Sequence, residues 1–158
     1  MTATKAKPIA EAEVHLTRIF DAPRELVFRT WTEPKHLAQW WGPRGFTNPV
    51  CKLDLRVGGA ILIHMCAPDG TIYPMTGMFR EIVVPERLVF TFTWEEEGER
   101  GVETVVTVTF AERDGKTLMT FHQAPFQSDF QRDDHDGGWN STFDRLAELL
   151  TSANGSAS

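Results

Sequence analysis

A chain of 158 residues with 22 acidic against 16 basic side chains, net charge -6, is the size of one domain, and without a Lys/Arg cluster it argues against nucleic-acid or anionic-membrane partners. No run approaches the about 18 apolar residues of a membrane span. The opening MTATKAKPIAEAE lacks a signal peptide's apolar stretch, so a cytoplasmic protein is expected, with Cys51 and Cys66 as two free thiols.

In chain order, alternation of Val14, Leu16 and Phe20 with polar neighbours predicts a first strand over 14–20. Asp21-Ala22-Pro23 stops it and opens a helix, because proline lacks only an amide that the first turn leaves unpaired. Val27, Phe28 and Trp31 give that helix one apolar stripe. Thr32 and Pro34 open a second short helix, PKHLAQWW, which Gly42-Pro43 ends. From Val50 the period becomes two. Segments near 50–56, 59–66, 74–83, 87–95, 102–111 and 116–123 read as strands, joined by turns too short for parallel crossovers, so the sheet is an antiparallel meander. Leu88, Phe90, Phe92 and Trp94 share one face of their strand, opposite Val89, Thr91 and Thr93. In GWNSTFDRLAELL, Trp139, Phe143, Leu146 and Leu150 form a helical stripe, with Asp144, Arg145 and Glu148 on the other side. That stripe needs an apolar partner, and the aromatic face of the sheet supplies it. The predicted domain covers 13–151, with flexible ends at 1–12 and 152–158.

The segments FDAPRELVFRTWTEPKHLAQWWGPRGFT, LDLRVGGAILIHM, GMFREIVVPERLVFTFTW and HDGGW, in this order, resemble the START-like (SRPBCC) superfamily. More narrowly they are similar to the branch named after the activator of the heat-shock-protein-ninety ATPase. The resemblance implies an α+β helix-grip fold: a curved antiparallel sheet of six to seven strands wrapped around a long C-terminal helix, with two short helices between the first and second strands, enclosing a hydrophobic cavity. It implies far less about chemistry, because the superfamily holds carriers, receptors, cyclases and co-chaperone domains.

Pattern and resemblance together give a candidate lining. Met75 and Phe79, Phe92 and Trp94, and Met119 and Phe121 take the inward phase of three strands, while Trp139 and Phe143 come from the final helix. The resemblance adds Ile63 and Met65 on the strand after the glycine pair, and gives Trp41 and Phe46 a place at the mouth, with Trp40 structural. Gly77 is expected to leave room for a ligand. Gln123 is the expected polar group of the cavity, with His122 opposite in phase and facing outward; these two, followed by Asp54 and Arg56, are the weak candidates for catalysis, and none is assigned.

The other polar constellations carry little. His36, His64, His122 and His135 with Cys51 and Cys66 show no zinc-type spacing, so neither metal nor cofactor is expected, and Asp133-Asp134-His135-Asp136 reads as a solvated acidic loop. Asp54 and Arg56 read as a surface ion pair, and Glu95, Glu96 and Glu97 as a hairpin tip. The resulting expectation is a non-catalytic protein, monomer or homodimer, that holds a largely apolar ligand such as a lipid, an aromatic molecule or a polyketide. Two alternatives stand beside it. One is an enzyme of the aromatase/cyclase, dehydratase or hydrolase type. The other is a chaperone-associated interaction domain, for which a separate N-terminal chaperone-binding domain would be needed.

Overall fold

The computed structural model describes residues 12–96, 99–100, 103–126 and 128–157. Strand β1 (Val14–Phe20) leads into α1 (Arg24–Thr32) and α2 (Pro34–Trp40), followed by β2 (Thr47–Leu53), β3 (Ala60–Cys66), β4 (Ile72–Val83) and β5 (Arg87–Glu96). The two-residue β6 (Glu99–Arg100), β7 (Thr104–Arg113), β8 (Lys116–Ala124) and α3 (Asp129–Ala157) complete the order. The strands form one antiparallel sheet in the order β1-β8-β7-β5-β4-β3-β2, with β6 paired to β5. The first two strands are thus opposite edges, and the two short helices make the crossing between them.

The helix-grip architecture is the expected one, and its core is aromatic. Trp31 of α1 is its hub, within 6.5 Å centroid to centroid of Trp40, Trp41, Phe90, Phe110, Phe121 and Phe143. Such contacts join α1 and α2 to the sheet and to α3 through rings that each bury a large apolar area. On α3, Phe143, Leu146 and Leu150 are fully buried, as the helical stripe requires. On β3, Ile61, Ile63 and Met65 all point inward.

Several local expectations are corrected. Helix α3 starts at Asp129 and runs to Ala157, so the Asp133–Asp136 run is its second turn rather than a loop, and residues up to 157 continue the helix. Ala12 is buried and its carbonyl accepts the Phe126 amide at 3.1 Å, so chain docking begins one residue before the predicted domain. Residues 1–11, 97 and 158 lie outside the described residues, and with them most of the predicted N-terminal tail and the hairpin tip at Glu97. Glu95 stands on β5, where its carboxylate accepts from Thr76 Oγ1 at 2.8 Å. Thr91 and Thr93 are as buried as Phe92 between them; the Thr91 hydroxyl accepts the Met78 amide of β4 at 2.9 Å. Gly77 leaves no room for a ligand: a Cβ there would stand 2.1 Å from the Thr91 carbonyl oxygen. The missing side chain serves the close approach of β4 to β5.

Cys51 lies opposite Ile63 and Cys66 opposite Thr47 in the β2–β3 register, so the thiols do not face each other and both are free. Burial pushes the Cys51 thiol up to about 11.

Candidate functional site

The site begins at the end of α2. Trp40, the last helical residue, is fully buried, and its Nε1–H donates to the Thr30 carbonyl at 3.0 Å, which ties α2 to α1. Trp41 is already outside the helix, with φ -67 and ψ 132, so its ring departs along an extended backbone rather than by a helical step. It lies against Phe92 at 6.2 Å and edge-on to Trp139 at 5.2 Å. Gly42 follows with φ 93, a conformation that side chains resist, and a Cβ there would meet Met65 Sδ at 2.9 Å.

Carbonyls left unpaired at the helix end are collected by two side chains. Arg145 of α3 donates Nη1 to the carbonyls of Trp41, Gly42 and Pro43 at 3.2, 2.9 and 3.1 Å, and Nη2 to Gln39 at 3.0 Å. Asn48 Nδ2 donates to Ala38 and Trp41 at 3.0 and 2.8 Å. The following residue is held to α3 as well: the Arg44 amide donates to Ser141 Oγ at 3.0 Å, and its guanidinium makes a two-point pair with Glu148 at 3.1 and 2.8 Å. The sequence placed Arg145 on the solvent side of its helix; the structure makes it the clamp that sets the position of Trp41.

Between this segment, the first half of α3 and strands β3 to β5 lies a pocket of about 710 Å³. Its walls are Trp41, Phe46, Tyr73, Phe92, Trp94 and Trp139, with Met65 among them, and its polar lining includes Asp133, Asp134, His135 and Thr142. The volume is within the range of small-molecule sites. Phe92 and Trp94 stand perpendicular with centroids 5.1 Å apart, and Tyr73 sits edge-on to Trp94 at 6.4 Å. Tyr73 is half exposed, which places it at the opening.

Of the predicted lining, Trp41, Phe46, Met65, Phe92, Trp94 and Trp139 meet at this pocket. Ile63, Met75, Phe79, Met119, Phe121 and Phe143 do not; they are buried deeper and fill the core between sheet and helix. Gln123 is buried too, but it does not line the pocket. Its Nε2 donates to Thr104 Oγ1 at 2.9 Å and its Oε1 accepts Trp139 Nε1–H at 2.7 Å, while Thr104 donates to the Phe92 carbonyl at 3.1 Å. Both amide ends are thereby engaged, and Gln123 fixes the indole that forms one wall. His122 faces outward, as its phase requires, with Nε2 2.7 Å from Glu13 Oε1.

Sequence reasoning missed His135. One helical turn before Trp139, it packs against Phe126 at 4.8 Å and Phe92 at 5.9 Å, and Trp94 Nε1–H donates to its Nε2 at 3.3 Å. Accepting at Nε2 fixes the neutral ring with its proton on Nδ1. Burial holds its pKa below the ordinary imidazole value, with Asp134 pulling weakly the other way. The i, i+4 spacing to Trp139 was the available signal, hidden by reading 133–136 as a loop. His36 pairs with Glu33 at the surface and His64 takes the outward phase of β3. Asp54 and Arg56 make the expected exposed ion pair at 2.8 Å.

The sequence matches the family described as activator of Hsp90 ATPase homolog 1-like protein over residues 21–151. No curated protein matches it. Among solved structures it resembles the AHSA1 protein from Silicibacter pomeroyi, with 28% identity and a TM-score of 0.80 over 89% of this chain and 99% of that one. A protein from Chromobacterium violaceum is similar at 28% identity and TM-score 0.79, covering 88% and 96% of the two chains. One from Nitrosomonas europaea gives 26% and 0.77 over 95% and 99%. The match over residues 21–151 and the shared helix-grip fold identify the chain as a member of the activator of Hsp90 ATPase homolog 1-like family.

Proposed function

We propose that the protein binds a small, largely apolar molecule with aromatic character in the pocket between α3, the Trp41–Phe46 segment and strands β3 to β5, without altering it chemically. The observation that carries this reading is the wall itself: six aromatic rings and a thioether around about 710 Å³, held in place by hydrogen bonds from behind. Rings at several mutual angles offer faces and edges to a flat guest, and Met65 adapts to its outline. His135 lines the pocket, and its Nδ1–H would orient a carbonyl or phenolic oxygen of the guest. Among the described lining residues there is no Ser, Cys or Lys, and the Thr142 hydroxyl is spent on the Gly138 carbonyl at 2.7 Å, which supports binding over covalent catalysis.

The test is titration of the protein with flavonoids, naphthoquinones and medium-chain fatty acids, followed by calorimetry and by mass spectrometry of the recovered compound. An aromatic member should bind at one site and be recovered unchanged. Trp41→Ala should weaken it at least about tenfold, the loss expected for one stacked wall, whereas Trp40→Ala should mainly lower stability. No binding across the panel would overturn the reading. A converted compound would establish an enzyme, and stimulation of a chaperone ATPase would establish the interaction domain that the family name describes.

A further inference from the structure

On the outer face of the sheet, away from the pocket, the β1–β8 register sets His15 directly opposite His122, and Glu13 stands two residues before His15 on the same side. The two imidazole rings are 4.4 Å apart, and both Nε2 atoms converge on one carboxylate oxygen: Glu13 Oε1 is 2.8 Å from His15 and 2.7 Å from His122. The three donor atoms lie within 4.8 Å of one another, and this is the one such three-residue group among the described residues. We propose that Glu13, His15 and His122 form a surface site for a divalent first-row transition ion, with Zn2+ foremost.

The geometry needs only side-chain rotation. Zinc takes imidazole nitrogens at about 2.0–2.1 Å and carboxylate oxygens at about 2.0–2.2 Å. An ion between the two Nε2 atoms displaces Oε1, now 2.8 and 2.7 Å from them; each ring swings in by roughly 0.7 Å to reach bonding distance, and the carboxylate withdraws to ligate from the third side. Each neutral ring offers Nε2 as a lone pair once its proton sits on Nδ1, and the carboxylate supplies an anionic oxygen. Two imidazoles and a carboxylate leave the fourth position of a tetrahedron to water. Among the described residues, the register neighbours of this face are the uncharged Thr17, Thr107, Thr109 and Thr120. An ion here fastens the edge strand β1 to β8. The expectation of no metal rested on spacing along the chain, and Glu13 and His122 are 109 residues apart in sequence; strand pairing alone brings them together.

The test is calorimetric titration of the untagged protein with ZnCl2, repeated with CoCl2 while following the visible absorption of four-coordinate cobalt. One equivalent should bind, with cobalt giving the intense tetrahedral spectrum, and Zn2+ should raise the melting temperature. His15→Ala and His122→Ala should each weaken binding by about 10- to 100-fold, while His64→Ala and His36→Ala leave it unchanged. His15 is largely exposed, so its truncation leaves the core intact. The proposal is overturned if the wild-type chain shows no saturable uptake, or if both substitutions bind as the wild type does. Pocket binding is independent of either result.

Discussion

Replacing Gly77 with alanine tests a close backbone approach between β4 and β5. The added methyl would sit 2.1 Å from the Thr91 carbonyl oxygen and 3.1 Å from its carbon, with Met75 Cε at 3.4 Å. The first of these falls short by roughly 1 Å of the shortest contact a methyl tolerates, and the atom in the way is backbone, which cannot rotate aside as a side chain does in ordinary overpacking. Strands β4 and β5 must separate in the middle of their ladder, between Met75 opposite Trp94 and Phe79 opposite Phe90. The cost is about 3 kcal/mol or more, which in a domain of this size lowers the melting temperature by about 6–12 °C. The control is Gly137→Ala on α3, where an added methyl meets nothing within 4 Å. There the same chemical change should stabilise by about 0.5–1 kcal/mol through helix propensity. Urea unfolding followed by circular dichroism gives both values. Equal effects at the two positions, or a loss below about 1 kcal/mol at Gly77, would refute the close approach and restore the reading of Gly77 as space for a ligand.

Gln123→Leu strands the Trp139 indole N–H in the core and removes the donor to the Thr104 hydroxyl, which keeps its bond to the Phe92 carbonyl. It should cost about 2 kcal/mol in urea unfolding and weaken ligand binding through a wall residue that Gln123 does not share with the guest. Arg145→Lys replaces a fork that reaches four carbonyls with one ammonium. We expect a loss of about 1–2 kcal/mol and a change in ligand affinity, read by calorimetry. His135 contributes a pH dependence whose sign follows from its burial. The unfolded chain takes up the proton near pH 6.5 while the folded one resists to lower pH, so stability falls as pH drops from about 6.5 through the depressed folded value. Protonation also ends the hydrogen bond from Trp94. The difference in stability between wild type and His135→Phe, measured from pH 7.5 to 5, should shift against the wild type on acidification; parallel curves would place His135 in solvent.

The fold was legible because its signals are periodic. Alternation in the strands, the Trp139–Leu150 stripe and proline at the two helix starts each have one geometric reading, and the order of motifs fixed the family. The site was legible only in part, since period-two alternation says which way a side chain points but not how deep it lies. Met75 and Met119 share the inward phase with Phe92, yet they fill the core while Phe92 reaches the pocket. Gly77 was misread because an absent side chain is compatible with a void or with a neighbouring backbone, and only the strand register distinguishes them. Arg145 and Gln123 were invisible as positioning groups, because their partners lie far away in sequence and are mostly backbone carbonyls or buried side chains.

The distribution of the five tryptophans gives the protein an optical signal of its own. Trp41, Trp94 and Trp139 line the pocket, whereas Trp31 and Trp40 are locked together in the core at 4.8 Å. An aromatic guest that absorbs where indole emits would quench the tryptophan emission by energy transfer, and the close Trp31–Trp40 pair would go on reporting the packing of the core in near-ultraviolet circular dichroism, which does not depend on emission. Occupancy and integrity are therefore readable from one unlabelled sample.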